Sequence, residues 1–329
     1  MIKKAVPILA LLIVIASAVI LYIFYHNEEN YTRTFFSMDT TITLKLSDDL
    51  IDSSVSEVNR LDRIFDAQSK EGEAFCLNNE RSLECSADMA GLINALAPLN
   101  ERFSTSVDVS CGALTSLWKT KDENPSVPDA ADIEKALETI GMSNVSTDGS
   151  RITLKNGACL DFGSVAKGYA LDSLRNIYEE SKLEWGIAAM GSSTLLYGKK
   201  PDGKAFEVQI RNPDGDGVIG SVKTDACFIS SSGGYERFFE VDGVKYHHII
   251  DLSTGYPSKT TLTSVTVFTD NGLKSDFLST LIFLEGESNL SKHLNAEDYS
   301  VVAVNAKGEI LCSEGLDFTP LKDTVTDNG

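Results

Sequence analysis

The chain has 329 residues, which is enough for one large domain or two small ones with a sizeable core. Its 29 lysines and arginines stand against 48 aspartates and glutamates, so the formal net charge is −19. A protein this acidic is not expected to bind nucleic acid. An anionic ligand would need a local device to hold it, such as a metal ion, a helix N-terminus or a well-placed lysine.

An apolar segment opens the chain. Lys3 and Lys4 precede Ala5–Tyr25, a run of 21 residues without a charge. At about 1.5 Å of rise per residue, a helix of this length crosses a hydrocarbon core of about 30 Å. The paired lysines favour a cytoplasmic N-terminus, so we predict a single-pass membrane anchor over residues 1–27 with the rest of the chain extracytoplasmic. The alternative is a signal peptide cleaved near Ala16–Ala18.

Hydrophobic periodicity predicts strands and helices behind this segment. Residues 34–46 alternate apolar and polar side chains as in one strand, and residues 51–65 carry apolar side chains at helical spacing. Further helices are predicted at 86–100, 129–140, from 166 onward and at 272–284, and hairpins at 151–162, 206–222 and 299–313. Residues 184–198 read as two strands separated by a glycine break, and 227–258 as two strands joined at Asp242 and Gly243 and closed by a turn. This irregular order indicates an α+β fold with mixed, mostly antiparallel sheets and packed helices. We assign 28–318 to one domain and 319–329 to a polar tail.

The segment Leu160–Asp172 leads from a strand end through Gly163 and Ser164 into a helix. Such a turn leaves backbone N–H groups unpaired at the helix start, where the helix dipole also favours an anion. Lys167, in the first turn, adds a cation. The pattern predicts a phosphate cradle, although a glycine at such a position is more often simple turn chemistry.

Two polar side chains stand four residues apart on the helix predicted at 272–284. Asp276 and Thr280 therefore project from one face, and a carboxylate with a hydroxyl suits a partial ligand set for Mg²⁺. A helix with a polar side is the plainer interpretation. His247 and His248 alternate across a strand, so only one of them can face a given site, and a lone histidine is more often structural.

Six cysteines are scattered along the chain without a Cys-x-x-Cys pair, a spacing that does not indicate zinc. An extracytoplasmic domain can form disulfides, but the sequence does not show which cysteines would pair. We expect buried free thiols.

Eight segments taken together resemble the FAD:protein FMN transferases, the ApbE family of bacterial envelope flavin transferases. In chain order they are MDTTITL, TSVDVSCGALTSLW, LDFGSVAKGYALD, AAMGSSTLLYG, SSGGYERFF, YHHIIDLSTGYP, SVTV and SDFLSTLIFLEG. The resemblance extends from about Thr34 to Glu314. It implies Mg²⁺-dependent transfer of FMN from FAD, the substrate, to a threonine or serine hydroxyl of an acceptor protein, with AMP as the other product.

The resemblance also implies which residues form the site. The FAD-binding residues would be Met38, Ser110, Cys111, Gly112, Asp161, Lys167 and Ile250, and the Mg²⁺ ligands would be the Ser164 carbonyl, Asp276 and Thr280. His248 is the first candidate for the base that takes the acceptor's proton, and Asp251 is the second. The family's MGT is MDT here, its glycine pair is Gly191-Ser192, and its DPxTG is DLSTG. None of these departures removes a charged or metal-binding group.

Two alternatives keep the same site and change the function. With water in place of the acceptor hydroxyl, the protein would be a Mg²⁺-dependent FAD pyrophosphatase that releases FMN and AMP. Without turnover, it would be a membrane-tethered flavin-binding module. The partner that the resemblance implies is the FMN-binding domain of an envelope redox protein, which agrees with a catalytic domain outside the cell membrane.

Overall fold

The computed structural model describes residues 31–103, 106–118 and 125–321. The membrane anchor predicted for 1–27 lies outside these residues, as does most of the tail predicted for 319–329. Within the described ranges, no helix is both long enough and apolar enough to cross a membrane.

The described residues form strands β1 to β18 and α-helices α1 to α8. The strands are Tyr31–Ser37, Thr40–Leu46, Ser82–Glu84, Val145–Asp148, Arg151–Leu154, Trp185–Met190, Ser193–Gly198, Phe206–Arg211, Val218–Thr224, Cys227–Gly233, Phe238–Val241, Val244–His247, Ile250–Asp251, Tyr256–Pro257, Leu262–Thr269, Ser300–Asn305, Ile310–Cys312 and Asp317–Pro320. The helices are Ile51–Phe65, Glu73–Glu80, Ala87–Arg102, Gly112–Thr115, Ala130–Leu137, Ala166–Glu180, Gly272–Glu285 and Glu287–Leu294.

One eight-stranded sheet organises the fold. Its strand order is β1-β2-β6-β7-β10-β15-β16-β17, and all neighbouring strands are antiparallel. Smaller antiparallel sheets are β18-β9-β8, β3-β5-β4, β11-β12 and β13-β14. The predicted α+β class with mostly antiparallel sheets is therefore confirmed.

The large sheet is covered on both faces. On one face, side chains of α1, α3, α6 and α7 form the main apolar core with residues such as Leu44 and Phe228. The opposite face packs through Ile229 against Val222 of the β18-β9-β8 sheet. A third apolar cluster, around Trp118, joins α4 and α5 to the β11-β12 hairpin. Successive residues of β10 thus point to opposite faces, as the period of two in a strand requires.

The first predicted strand, 34–46, is a hairpin. Met38 and Asp39 form a two-residue connection between β1 and β2, and their φ angles are 50° and 60°. Positive φ at both positions defines a type I′ turn, for which asparagine and glycine are the usual residues. Because Met-Asp is not a typical turn pair and the apolar alternation continues through it, the sequence pattern concealed the turn.

The hairpin predicted over 151–162 does not form. Asn156 and Gly157 do adopt positive φ, 51° and 79°, so the predicted turn is present. However, β5 pairs with β3 and β4 rather than with the residues after the turn. Those residues instead form a single bridge, between Cys159 and Cys111. The residues after the turn therefore pair with Cys111, which is distant from them in the sequence.

Helices α6 and α7 meet at two glycines. A Cβ at Gly168 would lie 2.2 Å from the Gly272 carbonyl oxygen, and a Cβ at Gly272 would lie equally close to the Gly168 carbonyl oxygen. Asp172 of α6 also accepts hydrogen bonds from the N–H groups of Gly272 and Leu273, at 2.9 and 2.8 Å. These contacts fix the first turns of α7 beside the start of α6.

The six cysteines are free thiols, as expected, but only Cys85 is buried. The other five, Cys76, Cys111, Cys159, Cys227 and Cys312, are partly exposed. Burial, reinforced by nearby Glu73, raises the pKa of the Cys85 thiol to about 12. That thiol therefore stays protonated and packs as a small apolar side chain.

Candidate functional site

The site is centred on Asp276, in the second turn of α7. Its side chain is buried, with 4% of the residue exposed, so it does not lie on an open helix face. Oδ1 accepts hydrogen bonds from the hydroxyls of Ser193 and Ser230, each at 2.6 Å. Oδ2 accepts one from the N–H of Gly168 at 2.7 Å. Groups from β7, β10 and α6 therefore hold this carboxylate in one orientation.

Ser164 and Thr280 complete the predicted metal ligand set. Thr280 lies one turn after Asp276, and its half-buried hydroxyl is 3.4 Å from that of Ser232. The Ser164 carbonyl accepts no hydrogen bond from any described residue. Gly168, whose N–H would bond to it in a regular helix, donates to Asp276 instead. An unpaired carbonyl oxygen within one helical turn of that contact is open to a ligand.

The turn before α6 offers fewer free N–H groups than the sequence suggests. Its paired groups are Gly163 with Asp161 Oδ1, Val165 and Ala166 with the Phe162 carbonyl, and Gly168 with Asp276 Oδ2. Lys167 is half-buried, and its charge acts on both Glu236 and His248. At the predicted phosphate site, Lys167 is therefore the main group that can bind an anion, because most backbone N–H groups of the turn already have hydrogen-bond partners.

The loop before α4 lies against the residues that precede α6. Gly112 donates its N–H to the Cys159 carbonyl, and Asp161 donates its N–H to the Val109 carbonyl, both at 2.8 Å. The Asp161 carboxylate also accepts a hydrogen bond from the Thr115 hydroxyl at 2.5 Å. A Cβ at Gly112 would lie 2.8 Å from the Cys159 carbonyl oxygen, so the close approach requires glycine. The two predicted FAD-binding segments are therefore brought together.

Ser110 and Cys111 shape this loop from within. The Ser110 N–H and hydroxyl both donate to Asp108 Oδ1, at 2.8 and 2.6 Å. The Cys111 carbonyl accepts the first hydrogen bonds of α4. Cys111 retains some exposed surface as a residue, but protein surrounds its thiol, and this desolvation, followed by the charges of Asp161 and Asp108, raises the pKa of the thiol well above its usual value. Cys111 is therefore a protonated structural residue and not a thiolate nucleophile.

Met38 and Ile250 are held by separate parts of the fold. Met38 packs on the main core, and Arg237 secures its turn by donating from Nη2 to the Asp39 carbonyl at 3.0 Å. Ile250 is 6% exposed and belongs to the Trp118 cluster, which also contains residues of α4. Its side chain thus packs in the same cluster as the helix that follows the loop with Ser110 and Cys111.

His248 follows β12 and is oriented by Arg237. Its backbone N–H and its Nδ1 lie 3.1 and 3.2 Å from the Arg237 carbonyl oxygen. A carbonyl only accepts, so Nδ1 carries the proton and Nε2 keeps its lone pair. Burial is the main reason that the pKa of His248 falls to about 4, with the charges of Arg237 and Lys167 adding to it. His248 is therefore a neutral base above about pH 4.

The Asp251 side chain stabilises the turn that follows it. Its Oδ1 accepts hydrogen bonds from the N–H and the hydroxyl of Ser253, at 2.9 and 2.7 Å. His247 is also engaged: its Nε2 lies 2.9 Å from the Ser258 carbonyl, and its ring packs edge-on against Phe283. The geometry favours His248 over both residues as the base.

Three site residues were not predicted from the sequence. Ser193 and Ser230 are the donors to Asp276, and Glu236 is close enough to Lys167 and Asp276 for their charges to act on its carboxyl group. Glu236 is an exposed residue, yet the protein around its carboxyl group desolvates it enough to raise its pKa, against the opposing effect of Lys167. One signal was available, because Ser230 shares the period-two face of β10 with Phe228, and a polar residue on a core face needs a partner.

Residues 38–304 match the family model of the ApbE family. The chain belongs to this family. A curated relative, the FAD:protein FMN transferase of Klebsiella pneumoniae (strain 342), is 28% identical over 305 residues, which cover 88% of this chain and 95% of the relative. The crystal structure of the ApbE protein from Thermotoga maritima has a TM-score of 0.81 at 29% identity and covers 87% of this chain and 97% of its own.

The flavin transferase ApbE from Vibrio cholerae, at 21% identity, shares the fold with a TM-score of 0.75 over 89% of this chain and 97% of its own. Several curated relatives carry the same transferase name, so this ApbE-family chain is a transferase. The family predicted from the eight segments is thereby confirmed.

Proposed function

We propose that this ApbE-family protein transfers FMN from FAD to a threonine or serine hydroxyl of an acceptor flavoprotein. The observation that carries the proposal is the buried Asp276 carboxylate, held near the unpaired Ser164 carbonyl at the start of the helix that bears Lys167. The activity named for the relatives supports the same reaction class.

Mg²⁺ fits the oxygen donors of the site. This ion prefers octahedral oxygen ligands and retains several waters. Both lone pairs of Asp276 Oδ1 are occupied by serine hydroxyls, whereas Oδ2 accepts a single hydrogen bond and keeps one lone pair. The Thr280 hydroxyl and the Ser164 carbonyl would add two further oxygens. When bound, Mg²⁺ would neutralise charge that develops on the pyrophosphate.

The residues of the chain would divide the remaining work. Lys167 would bind a pyrophosphate oxygen as a point charge, which an acidic protein must supply locally. His248 Nε2 would accept the proton of the acceptor hydroxyl as the hydroxyl oxygen attacks the FMN-side phosphorus. The new oxygen–phosphorus bond forms as the bond to the AMP oxygen breaks, and AMP leaves with that electron pair. The product is a phosphoester-linked FMN.

The acceptor's mass tests this proposal against its alternatives. Detergent-solubilised protein is incubated with FAD, Mg²⁺ and a candidate acceptor, and the intact acceptor is then weighed. Transfer adds the mass of FMN less one water. A pyrophosphatase would leave the acceptor unchanged while FMN and AMP accumulate, and a binding module would leave both FAD and acceptor intact.

We further propose that the protein is a single-pass membrane protein with its catalytic domain outside the cytoplasm. Lys3, Lys4 and the uncharged run after them support this topology. The acceptor would then be the FMN-binding domain of an envelope redox protein. A cleaved signal peptide, the alternative, would also deliver the domain to that compartment.

A further inference from the structure

Two serines hold the same oxygen of Asp276. Ser193, at the start of β7, and Ser230, on β10, are directly opposite each other in the antiparallel register of these neighbouring strands. They are 0% and 1% exposed, and each hydroxyl lies 2.6 Å from Oδ1. The pairing of the two strands therefore places two donors side by side beneath one carboxylate oxygen.

The directions of these hydrogen bonds follow from the chemistry of the groups. A carboxylate oxygen only accepts, so both hydroxyl protons point to Oδ1. The Ser230 oxygen is also 2.7 Å from the Ser275 hydroxyl. The Ser275 hydroxyl also donates to the Gly272 carbonyl at 2.8 Å, so with the Ser230 proton on Asp276 the single Ser275 proton is shared between that carbonyl and the Ser230 oxygen.

Occupying both lone pairs of Oδ1 limits how a cation can bind. A metal ion can approach only the remaining lone pair of Oδ2, so coordination by Asp276 is monodentate. Mg²⁺ accepts this readily, because it is small and requires near-octahedral geometry. Ca²⁺ is larger, takes six to eight oxygens and often binds a carboxylate through both oxygens. An Oδ1 closed by two serines therefore denies Ca²⁺ a ligand that it commonly uses.

We propose that Ser193 and Ser230 are positioning residues that make the site selective for Mg²⁺ over Ca²⁺ by restricting Asp276 to monodentate coordination. This rests on the proposed function for the position of the metal, but it concerns a property that neither the family nor the reaction specifies. A purely structural role, in which the serines only satisfy a buried carboxylate, predicts no change in the preference between the two ions.

The test measures binding of each ion alone, without FAD or acceptor, by titration calorimetry on the solubilised full chain. We expect Ser193→Ala and Ser230→Ala to weaken Mg²⁺ binding about 10- to 100-fold, the usual effect of losing a partner of a metal ligand. Ca²⁺ binding should weaken less or improve, so the Mg²⁺-to-Ca²⁺ preference falls, and it should fall further in the double variant.

Ser231→Ala is the matched control. Ser231 lies between Ser230 and Ser232 on β10 but points to the other sheet face, where its hydroxyl is 2.8 Å from that of Thr266. It should leave the preference between the ions unchanged. Unfolding temperatures recorded with a chelator identify variants that fail to fold. If Ser230→Ala is unstable, Ser193→Ala provides the test, because Ser193 is the first residue of its strand.

Equal weakening of both ions, or no weakening of either, would overturn the inference, as would a wild-type protein that binds neither ion. FMN transfer is measured separately on the wild type. Altered ion preference without any transfer would refute the proposed function alone, whereas transfer with unaltered preference would refute this inference alone.

Discussion

At the scale of single residues, burial acts differently on two of the side chains that the proposed chemistry uses, Asp276 and His248. Asp276 loses water but gains three hydrogen-bond donors, which is how buried carboxylates are normally tolerated. His248 loses water and gains only a carbonyl oxygen as a ring partner, so its pKa falls to about 4. Asp276 is therefore oriented to bind a cation, and His248 stays neutral above about pH 4.

The pH profile of transfer tests the environment of His248. His248→Ala should bind FAD nearly as well as the wild type and slow transfer about 10²- to 10⁴-fold, the usual contribution of a general base. An unperturbed histidine would lose its base form below about pH 6.5. With the pKa at about 4, the wild-type rate should show no loss from His248 protonation until the pH approaches that value.

His247→Ala is the control for this profile, because the His247 ring lies against Phe283 and is held by the Ser258 carbonyl. It should leave the acid limb of the profile unchanged. If the wild-type transfer rate falls near pH 6.5 and this fall is absent in His248→Ala, then water hydrates the His248 ring and its pKa is not lowered by burial. Unchanged transfer in His248→Ala would remove it from the reaction.

At the scale of elements, helices rich in apolar residues could be predicted from the sequence, whether one face or almost the whole helix is buried. Helices α1, α3 and α7 lie within two residues of their predicted limits. Helix α2 was missed because only Ala74 and Leu77 of its eight residues are buried, which is too few for a pattern. The β1-β2 turn was missed because Met38 and Asp39 are not the residues such turns favour.

The site was predictable only where its residues are neighbours in sequence. Asp276 and Thr280 are separated by one helical turn, so their spacing was visible. Ser193 reaches Asp276 only because β7 pairs with β10, and this register is a long-range contact that one sequence does not reveal. The acceptor, Asp276, could therefore be predicted from the sequence, whereas its donors Ser193 and Ser230 could be identified only from the strand pairing in the structure.

The crossing of α6 and α7 gives a prediction for stability. Gly168→Ala should destabilise the fold by about 1–3 kcal/mol, because its Cβ would overlap the Gly272 carbonyl and force the helices apart. The midpoint of chemical denaturation measures this. Gly91→Ala is the control: it also lies inside a helix, but its Cβ would meet only the Tyr169 hydroxyl, at 3.2 Å. Equal stability of the two variants would contradict the crossing.

At the scale of the whole molecule, hydrogen bonds join elements from distant parts of the chain around the candidate site. The start of α6 contacts α7 through Asp276, and the loop before α4 contacts the residues that precede α6. Arg237 joins two of these parts, since its side chain binds the Asp39 carbonyl and its own carbonyl binds His248. Arg237 therefore links the position of the β1-β2 turn to that of His248.

The predicted topology is tested in intact cells. The envelope layers outside the cell membrane are first made permeable while that membrane stays intact. Added protease should then digest the catalytic domain, while a cytoplasmic marker protein in the same sample survives. The charge pattern of Lys3 and Lys4 before the uncharged run is the physical basis for this expectation. Recovery of the full-length chain in the soluble cytoplasmic fraction would contradict it.

The most direct measurement is the intact mass of the acceptor after parallel incubations with wild-type protein and Asp276→Asn at limiting Mg²⁺. Asparagine can keep the fold, because its oxygen can accept from Gly168 while the serine hydroxyls turn to accept from its amide, and the unfolding temperature verifies this. The wild type should add FMN less one water to the acceptor, and the variant should add nothing. An unchanged acceptor with the wild type, or equal transfer by a folded Asp276→Asn, would contradict the account.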